Sequence, residues 1–158
     1  MKKVFVLMIA FALFLPSCAA EASSPLAYQR GISSVTFNAR IGEEEFSLEL
    51  TRGKLTVLAP EAIAGAALIR STEKYSLIAE GEEFELPQAL IPYISPVFSA
   101  FSLPEENARA AEGDGKKIAV EYGGGVYTVE LSDGGKPERI EYEGVREFTL
   151  YNIIIQKG

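Results

Sequence analysis

The side chains that most often do chemistry are thinly represented in this chain of 158 residues. There is no histidine, which removes the commonest general base and metal ligand. A serine–lysine pair is the remaining route to an activated hydroxyl, and Ser71, Lys74 and Ser76 lie close together in the sequence. They fall at a strand turn among polar neighbours, where solvated surface residues are expected. Carboxylates are plentiful: Glu43, Glu44 and Glu45 run together, as do Glu82 with Glu83 and Glu105 with Glu106, and Glu138, Glu141 and Glu143 recur near the C-terminus. Glycoside hydrolysis needs two carboxylates across a cleft, one kept protonated by burial. Acids in turns, at a helix start and along one strand read instead as a charged solvent face. Asp114 and Asp133 each precede a glycine, but neither has the run of oxygen ligands that a calcium loop requires. Residues 113–117, Gly-Asp-Gly-Lys-Lys, fail the spacing of a phosphate loop, lack a hydroxyl residue after the lysine and lead into a strand. No catalytic residue, metal site or cofactor is expected, and the chain reads as a non-enzyme.

The single cysteine, Cys18, stands at the end of a leader with Lys2 and Lys3 followed by an apolar run over residues 4–15. That run has the form of a secretory signal and is too short to span a bilayer comfortably. Leu15-Pro16-Ser17-Cys18 places a small residue directly before the cysteine and Leu three residues before it, which resembles the lipobox of bacterial lipoproteins. The resemblance implies removal of residues 1–17 and a diacylglycerol on the Cys18 thiol, usually joined by an N-acyl chain such as palmitate. Cys18 is then a membrane anchor, with no thiol left for disulfides, zinc or catalysis. The expected location is the cell envelope, on the extracytoplasmic face of the cytoplasmic membrane or the periplasmic face of the outer membrane. Ala19 is not the Asp that holds lipoproteins at the inner membrane in the two-membrane pattern, which permits an outer-membrane address.

Residues 18–31 are small and polar, without apolar periodicity, and read as a lipid-anchored tether. The leader holds two of the 15 basic residues and none of the 22 acidic ones, so the remaining chain carries −9. Such a surface repels phosphates and excludes nucleic acid as a partner. The membrane is reached through the lipid.

From residue 32 the apolar pattern has period two. Val35, Phe37, Ala39 and Ile41, then Phe46, Leu48 and Leu50, then Leu55, Val57 and Ala59 alternate with polar residues, giving a meander of strands joined by tight turns. Residues 60–65 break it, with Ile63 in their middle. Strands follow at 66–71 and 75–80, with a short edge strand at 81–86. Over residues 89–101, Leu90, Tyr93, Ile94, Val97, Phe98 and Phe101 recur at helical spacing. Pro92 and Pro96 should kink that helix or split it in two. A second short helix is expected over 104–111, with Pro104 at its start. Strands resume at 117–122, 126–131, 139–143 and 145–155. Phe148, Leu150, Asn152 and Ile154 should share one face, and Ile153, Ile154 and Ile155 suggest burial on both. The fold class is α+β, mostly β: a curved open antiparallel sheet, a half-barrel, of about nine strands under a bent helical lid. The sheet can hide its apolar face only by receiving that helix. A gap between them would be a cavity fit for acyl chains; tight packing would make the same residues core.

This order of elements over residues 32–155 resembles the LolA/LolB family of lipoprotein carriers and receptors. The likeness lies in the early meander, the break at Leu58-Ala59-Pro60, the proline-bearing helix and the closing hairpins over residues 127–140. It implies a half-barrel domain over residues 32–158 that binds a lipid or acylated lipoprotein inside, lined by Phe37, Phe46, Leu48, Tyr93, Phe98 and Phe101. It further implies an apolar loop residue for which Ile63 is the counterpart. The alternative is a structural lipoprotein that docks a protein partner in an envelope assembly and takes no small ligand.

Overall fold

The computed structural model describes residues 24–72, 74–111 and 116–158. The leader, Cys18, residues 19–23 and Asp114 lie outside the described residues. The alternating segments become strands β1 (Ile32–Ile41), β2 (Glu44–Thr51), β3 (Lys54–Ala59), β4 (Ala67–Arg70), β5 (Tyr75–Ala79) and β6 (Glu82–Glu85). After a 3-10 turn at Gln88–Leu90 comes helix α1 (Ile91–Ser99), and then β7 (Ala108–Ala110), β8 (Lys117–Tyr122), β9 (Gly125–Leu131), β10 (Pro137–Glu143) and β11 (Phe148–Lys157). All eleven form one antiparallel sheet in the order β6-β5-β4-β3-β2-β1-β11-β10-β9-β8-β7. Each hairpin pairs with its sequence neighbour, and the one long-range pairing sets the last strand beside the first, with Val35 opposite Ile155 and Ala39 opposite Leu150. The tight turns carry positive φ at both central residues at Arg52-Gly53 and Glu80-Gly81, the geometry that matches strand twist.

Eleven strands stand where about nine are expected, and the sheet is open but not strongly curled. The short edge strand expected at 81–86 is β6, and the strand not expected is β7, whose three residues are too few for alternation to declare itself. Residues 104–111 are not a helix: a single 3-10 turn at Glu105–Asn107 leads into β7, whose Arg109 pairs with Ala119 of β8. Helix α1 has nine residues with Pro92 in its first turn and Pro96 inside. The prolines do not split it: it is one helix, which follows directly on the 3-10 turn at Gln88–Leu90. A helix of that length spans ~14 Å, against a width of ~48 Å for eleven strands at ~4.8 Å spacing. It covers only part of one face.

Beneath it lies the core. Phe98 packs edge-on to Tyr75 with ring centroids 5.6 Å apart, Phe101 lies 5.1 Å from Phe37, and the Tyr127 hydroxyl donates to the Pro96 carbonyl at 3.0 Å. The nine-residue helix is thereby tied to β5 and β9, and the residues just after it to β1. Farther along, Tyr142 stacks on Phe148 at 5.0 Å and lies 4.7 Å from Tyr127.

Residues 24–31, expected as tether, belong to this core. Leu26 is fully buried and Tyr28 nearly so, in and around a 3-10 turn at Ala27–Gln29. The Gln29 amide donates to the Leu103 carbonyl at 3.0 Å and accepts from the Leu103 N–H at 2.6 Å, and Arg30 pairs with Glu105 at 3.1 Å. Burial of Leu26 and Tyr28 supplies the apolar gain that a solvated tether lacks.

The triple isoleucine also departs from expectation. Thr36 pairs with Ile154 and Asn38 with Tyr151, so Asn152 and Ile153 together oppose Phe37. Asn152 takes a left-handed φ of 52° at this bulge. An extra residue reverses the inside-outside phase beyond it: Phe148 and Leu150 face the core, whereas Ile154 is 62% exposed and Ile153 and Ile155 turn inward.

Candidate functional site

The polar candidates are dispersed. The Ser71 hydroxyl donates to the Lys74 carbonyl at 3.1 Å, while the Lys74 ammonium is held by Glu85 at 2.9 Å, so no free amine faces a serine here. Glu105 pairs with Arg30, Glu141 with Arg139 and Asp133 with Lys116. On the outer face Glu45 sits 2.6 Å from Arg40, whose hydrogen bond and charge hold the carboxyl below the usual carboxylate range. Among the described residues no three His, Cys, Asp or Glu side chains gather as a metal site would require. Burial raises the Tyr28 phenol well above its ordinary value, and burial followed by the neighbouring Tyr142 does the same to Tyr127. Both hydroxyls are therefore neutral in physiological water.

The seven apolar candidates separate into three groups. Phe37, Leu48, Phe98 and Phe101 are buried in the core, and Phe46 is half-buried against it. The Phe101 ring, just beyond the end of α1, is in direct contact with Phe37 of β1. Ile63 and Tyr93 are exposed, at 44% and 49%.

Ile63 is exposed for a local reason. After β3 the chain turns at a cis Ala59–Pro60 peptide into a 3-10 turn over Glu61–Ile63. The Ile63 N–H donates to the Pro60 carbonyl at 3.2 Å and the Gly65 N–H returns to Val57 at 2.8 Å. The loop is pinned at both ends, with the Ile63 side chain left outward.

Phe84 stands across from it. Cross-strand partners share a face of the sheet, and the registers join Phe84, Leu77, Leu68, Leu55, Leu50, Val35 and Ile155 in one transverse apolar row. Val35 is fully buried and Leu55 nearly so, yet Phe84 at the β6 end is 49% exposed. Ile63 and Phe84 together line a groove of about 710 Å³ between the β3–β4 loop and the β5–β6 hairpin, floored by Ala66 and Ala79 and rimmed by Glu80 and Glu82. The strand reading of 81–86 contained Phe84. Nothing in it marked that side chain as the uncovered end of the core row, because this depends on pairing across seven strands.

A second cleft, of about 1020 Å³, opens at the far flank, between residues 24–28 and the end of the sheet around Leu131, Pro137, Ile153 and Ile155. No helix among the described residues is long and apolar enough to cross a membrane. Neither a protein-family model nor a curated protein matches this chain.

Proposed function

We propose that this protein is a lipid-anchored, extracytoplasmic binding protein that holds a lipid or an acylated lipoprotein on the apolar face of a LolA/LolB-like sheet. One observation carries the reading: the inner-face apolar row continues past the helix and ends in water at Phe84, beside the outward Ile63. Leaving two large apolar side chains exposed along a common groove forgoes the burial each would gain, ~25 cal/mol per Å², and an acyl chain laid in the groove restores it. The ring contacts of Phe98 with Tyr75 and Phe101 with Phe37 favour a ligand at the open end of the face over one under the helix. The lipid on Cys18 keeps that groove near a bilayer, where acyl chains are found.

Native mass spectrometry of protein purified without detergent tests this. Bound lipid is expected, exchanging on incubation with vesicles and lost in Ile63→Asp/Phe84→Asp. A protein that neither retains nor exchanges lipid overturns the reading. Addition of a partner strand at β6 is the competing mode of binding, and its Glu82, Glu83 and Glu85, all exposed, are the charged edge that discourages strand pairing.

A further inference from the structure

The larger cleft differs from the groove in charge. The chain as a whole is strongly acidic, yet among the described residues no Asp or Glu lines this cleft, and two lysines, Lys136 and Lys157, do. Among the described residues six ion pairs engage lysines and arginines elsewhere, including those of Lys74, Lys116 and Lys117. Lys136 and Lys157 take part in none of them. Asp133, the acid of the adjoining β9–β10 turn, is held 2.7 Å from Lys116. Between the lysines and the core the lining is apolar: Leu131, Ile153 and Ile155, with the Tyr28 ring behind them. The Tyr28 hydroxyl is buried without a hydrogen-bond partner. The volume, about 1020 Å³, is at the upper end of the ~300–1,000 Å³ that encloses small-molecule ligands.

We infer that this cleft is a second binding site, which takes an anionic single-chain amphiphile with its acyl chain against Leu131, Ile153 and Ile155 and its carboxylate or phosphate between Lys136 and Lys157. Apolar walls alone would accept any chain, whereas two cations that enter none of these ion pairs select for a negative head. An acidic ligand is repelled by the rest of the surface, so a lining whose described residues include two lysines and no acid is what makes the position distinctive. The ligand class rests on the lipid-binding reading, but the residues are separate from Ile63 and Phe84.

Calorimetric titration of the full chain carrying Cys18→Ala, so that no covalent acyl chain competes, tests the site with palmitate, hexadecanol and inorganic phosphate. Palmitate is expected to bind, and to bind at least tenfold more weakly to Lys136→Gln/Lys157→Gln. Hexadecanol should bind more weakly than palmitate and not respond to the lysine changes. The control pair Arg52→Gln/Lys54→Gln, which removes the same charge outside the cleft, should leave palmitate binding unchanged. All four residues are exposed, and the melting temperature reports that each variant is folded. Equal palmitate affinity in the cleft variant overturns the inference, as does equal weakening in the control pair. Inorganic phosphate binding as tightly as palmitate would reduce the site to a simple anion site and also overturn it. Ile63→Asp/Phe84→Asp separates the two sites: palmitate binding that survives there and fails in the lysine variant supports the cleft while removing the groove.

Discussion

The two flanks of β1 begin from the same alternation and end differently. On the side of β8 to β11, the inward residues Val120, Tyr127, Val129, Ile140 and Leu150 are all at most 1% exposed. On the side of β4 to β6, Leu68, Leu77 and Phe84 occupy equivalent inward positions and grow wetter toward the edge. The difference is cover. Helix α1 and the segment around Leu26 and Tyr28 supply apolar surface to the first flank, while Phe98 meets the second at Tyr75 and Arg70, at one end of it. Alternation therefore states which side chains share a face, and the covering elements decide whether that face is dry. Apolar side chains under the helix are core, whereas Ile63 and Phe84, without that cover, stay exposed along their groove.

Truncation separates the flanks most strongly. Phe98→Ala removes a ring in contact with Tyr75 and Arg70 and should lower stability by ~3–5 kcal/mol, measured by urea unfolding. Phe84→Ala at the wet end should cost ~0.5 kcal/mol, as surface changes do. Equal costs would mean that the second flank is as well covered as the first.

Glycines extend the contrast to single methyl groups. A Cβ at Gly125 or Gly144 would overlap the buried Tyr142 ring, so either Ala variant should lose ~1–3 kcal/mol by overpacking. A Cβ at Gly134 meets nothing nearer than 3.8 Å. Gly134→Ala should therefore leave the urea midpoint unchanged, and a matching loss there would show that turn geometry and not the Tyr142 packing is responsible.

The clasp between Gln29 and Leu103 ties the N-terminal cover to the helix loop. Gln29→Ala removes two hydrogen bonds, ~1–2 kcal/mol in all. Hydrogen exchange should rise around residues 26–31 and 100–105 and stay unchanged in β4 to β6. Faster exchange across the whole sheet would mean that the segment is part of a single cooperative core.

The smallest effect at neutral pH becomes visible in alkali. Burial lifts the folded-state values of Tyr28 and Tyr127 above the ordinary 10.0, so the native state resists ionisation that the unfolded chain accepts. Their contribution to stability is complete below pH 10 and is lost as the pH rises beyond it. Chemical unfolding between pH 8 and 11.5 should show stability falling above pH 10. Tyr28→Phe should flatten the fall, with little effect at pH 7 because its hydroxyl has no partner to lose. An unchanged slope in Tyr28→Phe would assign the loss elsewhere.

Much of this arrangement is legible in the residues. Val35, Phe37 and Ala39 against Thr36 and Asn38 announce β1 and its inner face, and the turns at Arg52-Gly53 and Gly123-Gly124 fall where the hairpins turn. Of the stripe at helical spacing, Val97, Phe98 and Phe101 are buried, whereas Leu90 and Tyr93 at its start are exposed, so only its C-terminal half is a covering face. The charged outer pairs, Arg40 with Glu45 and Lys117 with Glu130, sit on the solvent side that their alternation implies. Of the apolar candidates, Phe37 and Phe101 are brought into contact with each other, Ile63 is left outward, and Phe84 joins Ile63 without having been singled out.

The sequence by itself determined the strand segments, their two faces, the helix that covers one of them and the paucity of groups for acid–base chemistry. These are local properties: a pleat alternates every residue, a helix returns every three or four, and composition needs no folding. Tertiary structure alone decided that β11 lies beside β1, that Asn152 and Ile153 bulge and turn Ile154 to water, that residues 108–110 form a strand, and that Leu26 and Tyr28 join the core. It also decided which end of the inner face stays open. Each of these depends on a partner distant in the chain, and a strand's neighbours and cover are set by what the rest of the molecule leaves to be buried.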